Sequence, residues 1–451
     1  MFFNAEKISR FTRRTPTPLR LALGLMIMIA LGTLLFTLPG VTVSGRMPLN
    51  EAFFTATSAL TVTGLSVITP GSDLTLFGQI ILLALIQIGG VGFMVVAVLI
   101  FRLIGRSVSF ADRLALRDSF GLLDLYAIVR LTRQVVIVVF ALELTGALLL
   151  WLHWRPELGD GRALFYALFH AISAFCNAGF DLFSGTPGFA GIPNDNITLS
   201  IFGVLIFIGG LGIPVVADLG LWRKRRRISL HTRLTLIVSL LLLLLGWLGL
   251  FLAETGPSGT LANEPPARAV VLALFQSISA RTAGFSAIYQ FEELTPASQL
   301  LKIVLMFIGT APASMGGGIT TGTFTVLLLA LWAYARGRKS PRVFGRSIGF
   351  FTVRRASAIL TISIMVIVGA TWLLLITHPH AVLDKVIFEV VSAFATCGLS
   401  LEYTSNFDVL GQTVIAFVMF WGRLGAMTIV LALAQLVPHS LIEYPEERIL
   451  I

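Results

Sequence analysis

Four short stretches of this chain resemble one another and recur at a nearly even interval, and no other feature restricts the fold so tightly. They read EAFFTATSALTVTG (Glu51 to Gly64), ALFHAISAFCNAG (Ala167 to Gly179), ALFQSISARTAG (Ala273 to Gly284) and IFEVVSAFATCG (Ile387 to Gly398). Each is a helix-compatible run with a phenylalanine, a Ser-Ala pair (Ser58-Ala59, Ser173-Ala174, Ser279-Ala280, Ser392-Ala393) and a glycine within five residues of that alanine. Successive glycines are 115, 105 and 114 residues apart, which makes the chain a fourfold internal repeat. A second mark keeps the register: Gly89-Gly90, Gly209-Gly210, Gly309-Thr310 and Gly422-Arg423 lie 25, 30, 25 and 24 residues after those glycines. Small residues there serve either a shared architecture or ordinary close packing of helices.

Apolar segments long enough to cross a ~30 Å hydrocarbon layer flank each stretch. They lie near 19–39, 74–101, 134–152, 197–222, 233–253, 299–335, 356–377 and 408–437. The repeated stretches are too short to cross and too apolar for aqueous loops. The pattern therefore predicts an all-α integral membrane protein with eight transmembrane helices and four re-entrant half-helices. Composition agrees: 56% of residues are hydrophobic and 12% charged, against about 25% charged in soluble proteins, which excludes a soluble enzyme. The first apolar run follows Lys7, Arg10, Arg13, Arg14 and Arg20, is longer than a signal-peptide core and lacks a small-x-small cleavage site, so it reads as a retained span. The resulting division is a cytoplasmic N-terminus (1–18), repeat 1 (19–101), a linker with repeat 2 (102–222), a basic linker with repeat 3 (223–335), a basic linker with repeat 4 (336–437) and a tail (438–451).

The net charge of +10 would suit a nucleic-acid binder, but its placement argues for topology, and no nucleic-acid partner is expected. Five segments (the N-terminus, 102–133, 223–233, 336–355 and the tail) hold 25 of the 33 Lys and Arg. Alternate threading of eight spans puts all five on one side, which the positive-inside rule makes the cytoplasm. Both termini are then cytoplasmic in a multi-pass protein. The acids Glu51, Asp73, Asp181, Asp195, Glu292, Glu293, Glu402 and Asp408 fall outside, as a cation-gathering vestibule or as solvated surface. Cys176 and Cys397 form neither a disulfide framework nor a metal-ligand spacing.

A half-helix that ends inside a membrane must have its last carbonyls satisfied, and a loop at that depth must be buried in protein or line a watery cavity. Its C-terminus carries partial negative charge and favours a cation. Four copies round an axis make one ring, in which backbone carbonyls can replace part of the hydration shell of a monovalent cation. Gly64, Gly179, Gly284 and Gly398 allow the backbone angles that turn carbonyls inward. The rest of the lining falls to Thr61, Val62 and Thr63; Cys176, Asn177 and Ala178; Arg281, Thr282 and Ala283; and Ala395, Thr396 and Cys397.

The TVTG, CNAG, RTAG and ATCG ends, the GGG-rich third unit and the arginine of the fourth resemble the superfamily of Trk, Ktr and plant HKT potassium transporters, over essentially the whole chain. Compact length and the ending YPEERILI (Tyr444 to Ile451) are most similar to the KtrB group, the membrane subunits of bacterial Ktr systems. That resemblance implies four potassium-channel-like M1-P-M2 units around a pseudo-fourfold pore. It also implies K+ at the glycine filter, sodium-dependent potassium uptake with Na+ as a second ion, a bacterial cell membrane, a homodimer, and a cytosolic nucleotide-binding RCK ring (KtrA). No organic cofactor is expected. One glycine per loop departs from the TVGYG run of a potassium channel.

The segment 299–335 would measure about 55 Å as one helix at 1.5 Å per residue. It must break, and GTAPASMGGGITTGT (Gly309 to Thr323) supplies the break with Pro312 and the glycines 309, 316, 317, 318 and 322. This polar loop below the ring is read as a gate, formed by Gly309, Ser314, Gly316, Gly317, Gly318, Thr320 and Thr321, or else as a static kink. Arg423 replaces the second glycine of the doublets. An arginine within a span is a functional candidate, either a barrier to cations that holds carbonyls of the broken segment or a structural partner of Glu143 or of carbonyls. The resemblance implies that it lies below the filter and contacts the loop. Arg281 is read as tied behind its loop, Lys302 as snorkelling from the outer end of its span, and Arg223 to Arg227 as a lipid-side anchor or a docking site for a cytosolic subunit. His153 and His170 lack metal-ligand companions at helical spacing. No Ser/His or paired-Asp set at matched depth supports an intramembrane enzyme, and repeats of one orientation argue against alternating access by inverted repeats.

Overall fold

The structure is a computed structural model that describes residues 17–92, 127–225, 228–288 and 290–425. The N-terminal segment to residue 16, the inner ends of the spans read at 74–101 and 408–437, most of the linker 102–133, Arg226, Arg227 and the tail with YPEERILI lie outside the described residues.

Four times the chain runs from a long helix through a short helix and a loop to a further helix. The first passage is α1 (Thr17–Phe36), α2 (Leu49–Thr61) and α3 (Leu76–Val91). The second is α4 (Ala127–Leu158), α5 (Asp160–Phe175), α6 (Asn196–Leu211) and α7 (Ile213–Arg225). The third is α8 (Leu230–Glu254), α9 (Pro266–Ser279), α10 (Pro296–Ile308) and α11 (Thr321–Ala335), and the fourth is α12 (Phe350–Thr377), α13 (Leu383–Ala395) and α14 (Val409–Leu424). Within α1, α4, α8 and α12 lie stretches long and apolar enough to cross a membrane, so the chain is a multi-pass membrane protein. Most of their surface is uncovered and bears leucine, isoleucine and valine, as a lipid-facing helix requires.

The short helices form the interior. In α2 every position from Ala52 to Thr61 is buried apart from Phe53, and α5, α9 and α13 are buried along comparable faces. Their small and hydroxyl-bearing residues let backbones approach closely. The third helix of each passage packs on the next short helix: α3 on α5, α6 on α9, α10 on α13, and α14 on α2, which closes a cycle. The same local code starts these helices. Thr75, Asp195, Thr295 and Asp408 accept hydrogen bonds from the first-turn N–H groups of Gly78, Ile197 and Thr198, Ser298, and Gly411, satisfying donors that a helix start leaves orphaned.

One segment differs from the continuous span expected, and a second breaks where the sequence predicts it. Residues 197–222 form not one helix but α6 and α7, bent by 102° at Gly212, whose φ of +82° only glycine adopts readily. The break at 309–320 falls where glycine and proline accumulate, and α11 resumes at Thr321 because the Thr320 hydroxyl accepts from the Thr323 N–H. A hairpin, β1 (Arg342–Val343) and β2 (Arg346–Ser347), turns through Phe344 and Gly345, both at positive φ. Arg233 at the start of α8 lies 3.9 Å from the Phe344 ring, which joins the two basic segments.

Candidate ion-binding site

Each short helix ends in the same way. Two residues before each repeat glycine stand Val62, Asn177, Thr282 and Thr396, and all four are left-handed, with φ of 58°, 57°, 69° and 47°. The glycines follow with φ of 89°, 69°, 78° and 89°. A left-handed residue other than glycine costs roughly 1–2 kcal/mol, so four in register are held by their surroundings. Only Asn177 is of a residue type that visits this region readily. The serines of the Ser-Ala pairs do part of the holding: Ser58 and Ser392 accept from the Gly64 and Gly398 N–H groups at 3.1 Å, while Ser173 and Ser279 donate to the Phe180 and Phe285 carbonyls at 2.9 and 2.5 Å. In the third unit the pair sits one residue nearer its glycine, and the Ala283 N–H reaches Ser279 O four residues back, where Thr63, Ala178 and Cys397 reach five back.

The four glycines meet. A Cβ added at Gly64 would overlap the Ala178 carbonyl and lie 3.2 Å from the Gly179 Cα. One at Gly179 would stand 2.8 Å from the Ala283 oxygen and 2.9 Å from the Gly284 Cα, and one at Gly284 would stand 2.5 Å from the Cys397 oxygen. One at Gly398 would overlap the Thr63 carbonyl and lie 3.1 Å from the Gly64 Cα, so the loops follow one another round a closed ring. All four glycines line one water-accessible cavity of ≈ 440 Å³, together with Asp181 and Glu402. Burial, and then the neighbouring Glu292 carboxylate, pushes the Glu402 carboxyl up.

The remaining lining residues divide. Thr61, Thr63, Ala178, Thr282, Ala283, Ala395 and Thr396 are fully or almost fully buried at the loops, and Thr61 and Thr63 join hydroxyls at 2.8 Å. The Asn177 amide nitrogen donates to the Ile206 and Ala174 carbonyls, which turns its oxygen to the Thr282 hydroxyl. Both cysteines are buried and unbridged. Cys176 points its sulfur to Glu143 and against Gly90, and Cys397 points its own to the carbonyls of Ser279 and Ala280. Arg281 turns away behind its loop and holds the Gly309 carbonyl at 2.8 Å and the Ser239 carbonyl at 3.2 Å.

Directly beneath lies the broken segment. Gly316 packs against the Thr282 hydroxyl and Gly317 against Thr396, where a Cβ would collide. The Ala311 and Met315 N–H groups donate to the carbonyls of Gly210 and Gly209. Thr310 and Ser314 join hydroxyls at 2.8 Å, and the Thr321 N–H donates to Thr310 O. Gly309 and Gly318 have positive φ. Arg423 donates to the carbonyls of Met315 and Gly89. Of the alternatives weighed for it, the carbonyl partners are realised. Glu143 instead accepts from Gln87 and Cys176. Of the glycine doublets, Gly89, Gly209 and Gly422 each face a last-turn carbonyl of their own short helix (Leu60, Phe175, Phe394), which is close packing.

Two other expectations change. Lys302 does not snorkel: it is wholly buried, donates to Gln276 Oε1 at 2.7 Å and lies 4.6 Å from the Phe291 ring. Asp195 and Asp408 are engaged as helix caps, and Asp73 accepts from the Thr69 N–H, so these acids are structural. His153 and His170 pair with Asp195 and Asp181. Among the described residues no group of three His, Cys, Asp or Glu could hold a metal.

The sequence matches the family described as "TrkH: Cation transport protein" over residues 2–443. It is similar to the Ktr system potassium uptake protein B of Vibrio alginolyticus, at 38% identity over 92% of this chain and 90% of that one. It is also similar to the potassium/sodium uptake protein NtpJ of Enterococcus hirae, at 33% identity over 97% and 98% of the two chains. The crystal structure of the potassium transporter TrkH from Vibrio parahaemolyticus shares the fold, with a TM-score of 0.71 at 21% identity, over 92% of this chain and 84% of that one. The chain belongs to the TrkH family of cation transport proteins.

Proposed function

We propose that this chain takes up potassium across the bacterial cell membrane, through a pore enclosed by four M1-P-M2 units and selected by the carbonyls of the glycine ring. One observation carries the reading: the four repeat glycines, spread over more than 330 residues, face a single cavity and each abuts the next loop's carbonyl. Each loop runs from a left-handed residue through one that is not left-handed to a left-handed glycine, and such a change of hand can bring successive carbonyls to one side. Carbonyls so aligned replace the hydration shell of a monovalent cation. A transporter of this kind is not an enzyme, and its ions are cargo.

In this proposal the segment 309–320 is the gate and Arg423 its latch. A permanent charge under the ring raises the barrier to a cation, and its two carbonyl bonds hold the loop across the path. The outer cavity is extracellular, the basic segments and both termini are cytoplasmic, two chains associate, and a nucleotide-binding RCK ring docks on the basic face. Sodium dependence belongs to the proposal through the resemblance to Ktr systems and the similarity to NtpJ. The test is growth of a potassium-uptake-deficient cell at low potassium, followed by flux in vesicles with K+, Rb+ and Na+ gradients varied separately. Rescue and flux of K+ and Rb+ above Na+ are expected; a purified, folded chain that moves none of them would end the proposal.

A further inference from the structure

Behind the ring lies a second repeat that the glycine register hides. Nine residues before their glycines stand Thr55, His170 and Glu389, and Gln276 stands eight before Gly284, the same one-residue shortening that displaces its Ser-Ala pair. All four side chains are buried. Two residues beyond the glycines stand Ser66, Asp181, Ser286 and Ser400, and each lines the outer cavity.

In three units the buried residue grips the one beyond the glycine. His170 Nδ1 donates to Tyr166 O at 2.7 Å, and its Nε2 lies 3.0 Å from Asp181 Oδ1. Gln276 Nε2 donates to Ser286 Oγ at 3.0 Å. Its amide is oriented from behind, because the buried Lys302 ammonium claims Oε1 and leaves the donor end to the loop. Glu389 Oε1 accepts from Ser400 Oγ at 2.7 Å and from the Leu401 N–H at 2.9 Å, and Oε2 accepts from Thr404 Oγ1 at 2.5 Å. The first unit lacks the grip: the buried Thr55 hydroxyl has no partner, and Ser66 turns onto its own segment, donating to Ile68 O at 2.6 Å.

Resting on the uptake reading above, we infer that His170, Gln276 with Lys302, and Glu389 are positioning residues that set the outward face of the ring, and that three struts rather than four do so. The three grips differ in chemistry where the repeat would allow one solution four times. A buried charge or amide held this way is costly unless its bonds are made, so each loop end is pinned by the strut behind it. The loop end in turn places the Gly398, Gly284 and Gly179 carbonyls, where an entering cation exchanges water for protein oxygen.

The experiment measures K+ and Na+ uptake, at determined membrane abundance, by wild type, Glu389→Ala, Glu389→Gln, Ser400→Ala and Thr55→Ala. Glu389→Ala is expected to raise the half-saturating K+ concentration about tenfold and to weaken discrimination against Na+, with maximal rate changed by less than about twofold. Glu389→Gln keeps an acceptor for Ser400 and Leu401 and should recover most of the loss. Ser400→Ala cuts the same bond from the loop side and serves if Glu389→Ala fails to reach the membrane. Thr55→Ala should match wild type. Wild-type half-saturation in Ser400→Ala and Glu389→Ala, or an equal shift in Thr55→Ala, overturns the strut while uptake by the wild type stands. A wild type that takes up no K+ removes the uptake reading, and the strut with it.

Discussion

A methyl group at any ring glycine meets backbone, and the fit grades the cost. At Gly64 and Gly398 it overlaps a carbonyl, at Gly284 it stands 2.5 Å from one, and at Gly179 it stands 2.8 Å away. Alanine substitution should therefore raise half-saturating K+ at all four positions, by at least about tenfold at Gly64 and Gly398, where overlap adds to the roughly 1–2 kcal/mol of a left-handed alanine, and least at Gly179. Rubidium uptake curves for the four variants test that order. Arg423→Ala frees the Met315 and Gly89 carbonyls and removes a charge beneath the ring, so maximal flux should rise severalfold; unaltered flux and affinity would sink the barrier role. Asp181 supplies a pH effect. Burial alone would raise its carboxyl, but hydrogen bonds from His170, Ser184 and the Phe183 N–H outweigh that and hold it below the usual carboxylate range. Its contribution is therefore complete above the unfolded value of about 3.9 and is lost as pH falls through the lower folded value. In thermal melts, wild type should exceed Asp181→Asn at pH 6, and the gap should close below about pH 4. Of these residues the glycines were legible because backbone hand is a local property. The burial of Lys302 was not, because nothing beside it in sequence names Gln276 as its partner.

At the scale of elements, the decisive one is the segment 309–320, which is stretched under the third and fourth loops and tied at Gly309, Ala311 and Met315 to three other parts of the chain. Deleting Ser314 to Gly318 removes both the Met315 anchor and the glycines that fit against Thr282 and Thr396. Flux should rise, and Arg423→Ala in the deleted background should then add little, because the two changes release one contact. Flux at or below wild type from a deletion that reaches the membrane would argue for a static kink. The break itself could be read from five glycines and a proline in fifteen residues, since those residues disfavour helix wherever they occur. The bend of α6 into α7 could not. Gly209, Gly210 and Pro214 flank Gly212, yet they lie in a run apolar enough to read as one span, and the Pro312 and Ala313 carbonyls that pack against the bend are a hundred residues away.

For the whole molecule, closure of the ring requires α14 to reach α2 across nearly the full length of the chain. Long helices with leucine-covered outer faces then leave the polar loops inside, the arrangement a membrane enforces by leaving no water for orphaned carbonyls. The chain has a mass of 48.8 kDa, and light scattering in detergent should give about twice that for the proposed homodimer. A protein mass equal to one chain would remove that part of the proposal. The sequence by itself determined the membrane class, the four copies, the glycines and the broken span, because apolar length, periodicity and backbone hand are written in neighbouring residues. Only the tertiary structure decided which loop abuts which, that Arg423 spends its donors on carbonyls 108 and 334 residues away, and that His170, Gln276 and Glu389 answer one another. Those outcomes depend on which buried donors and acceptors meet once the helices pack, and residues that distant carry no local trace of their partners.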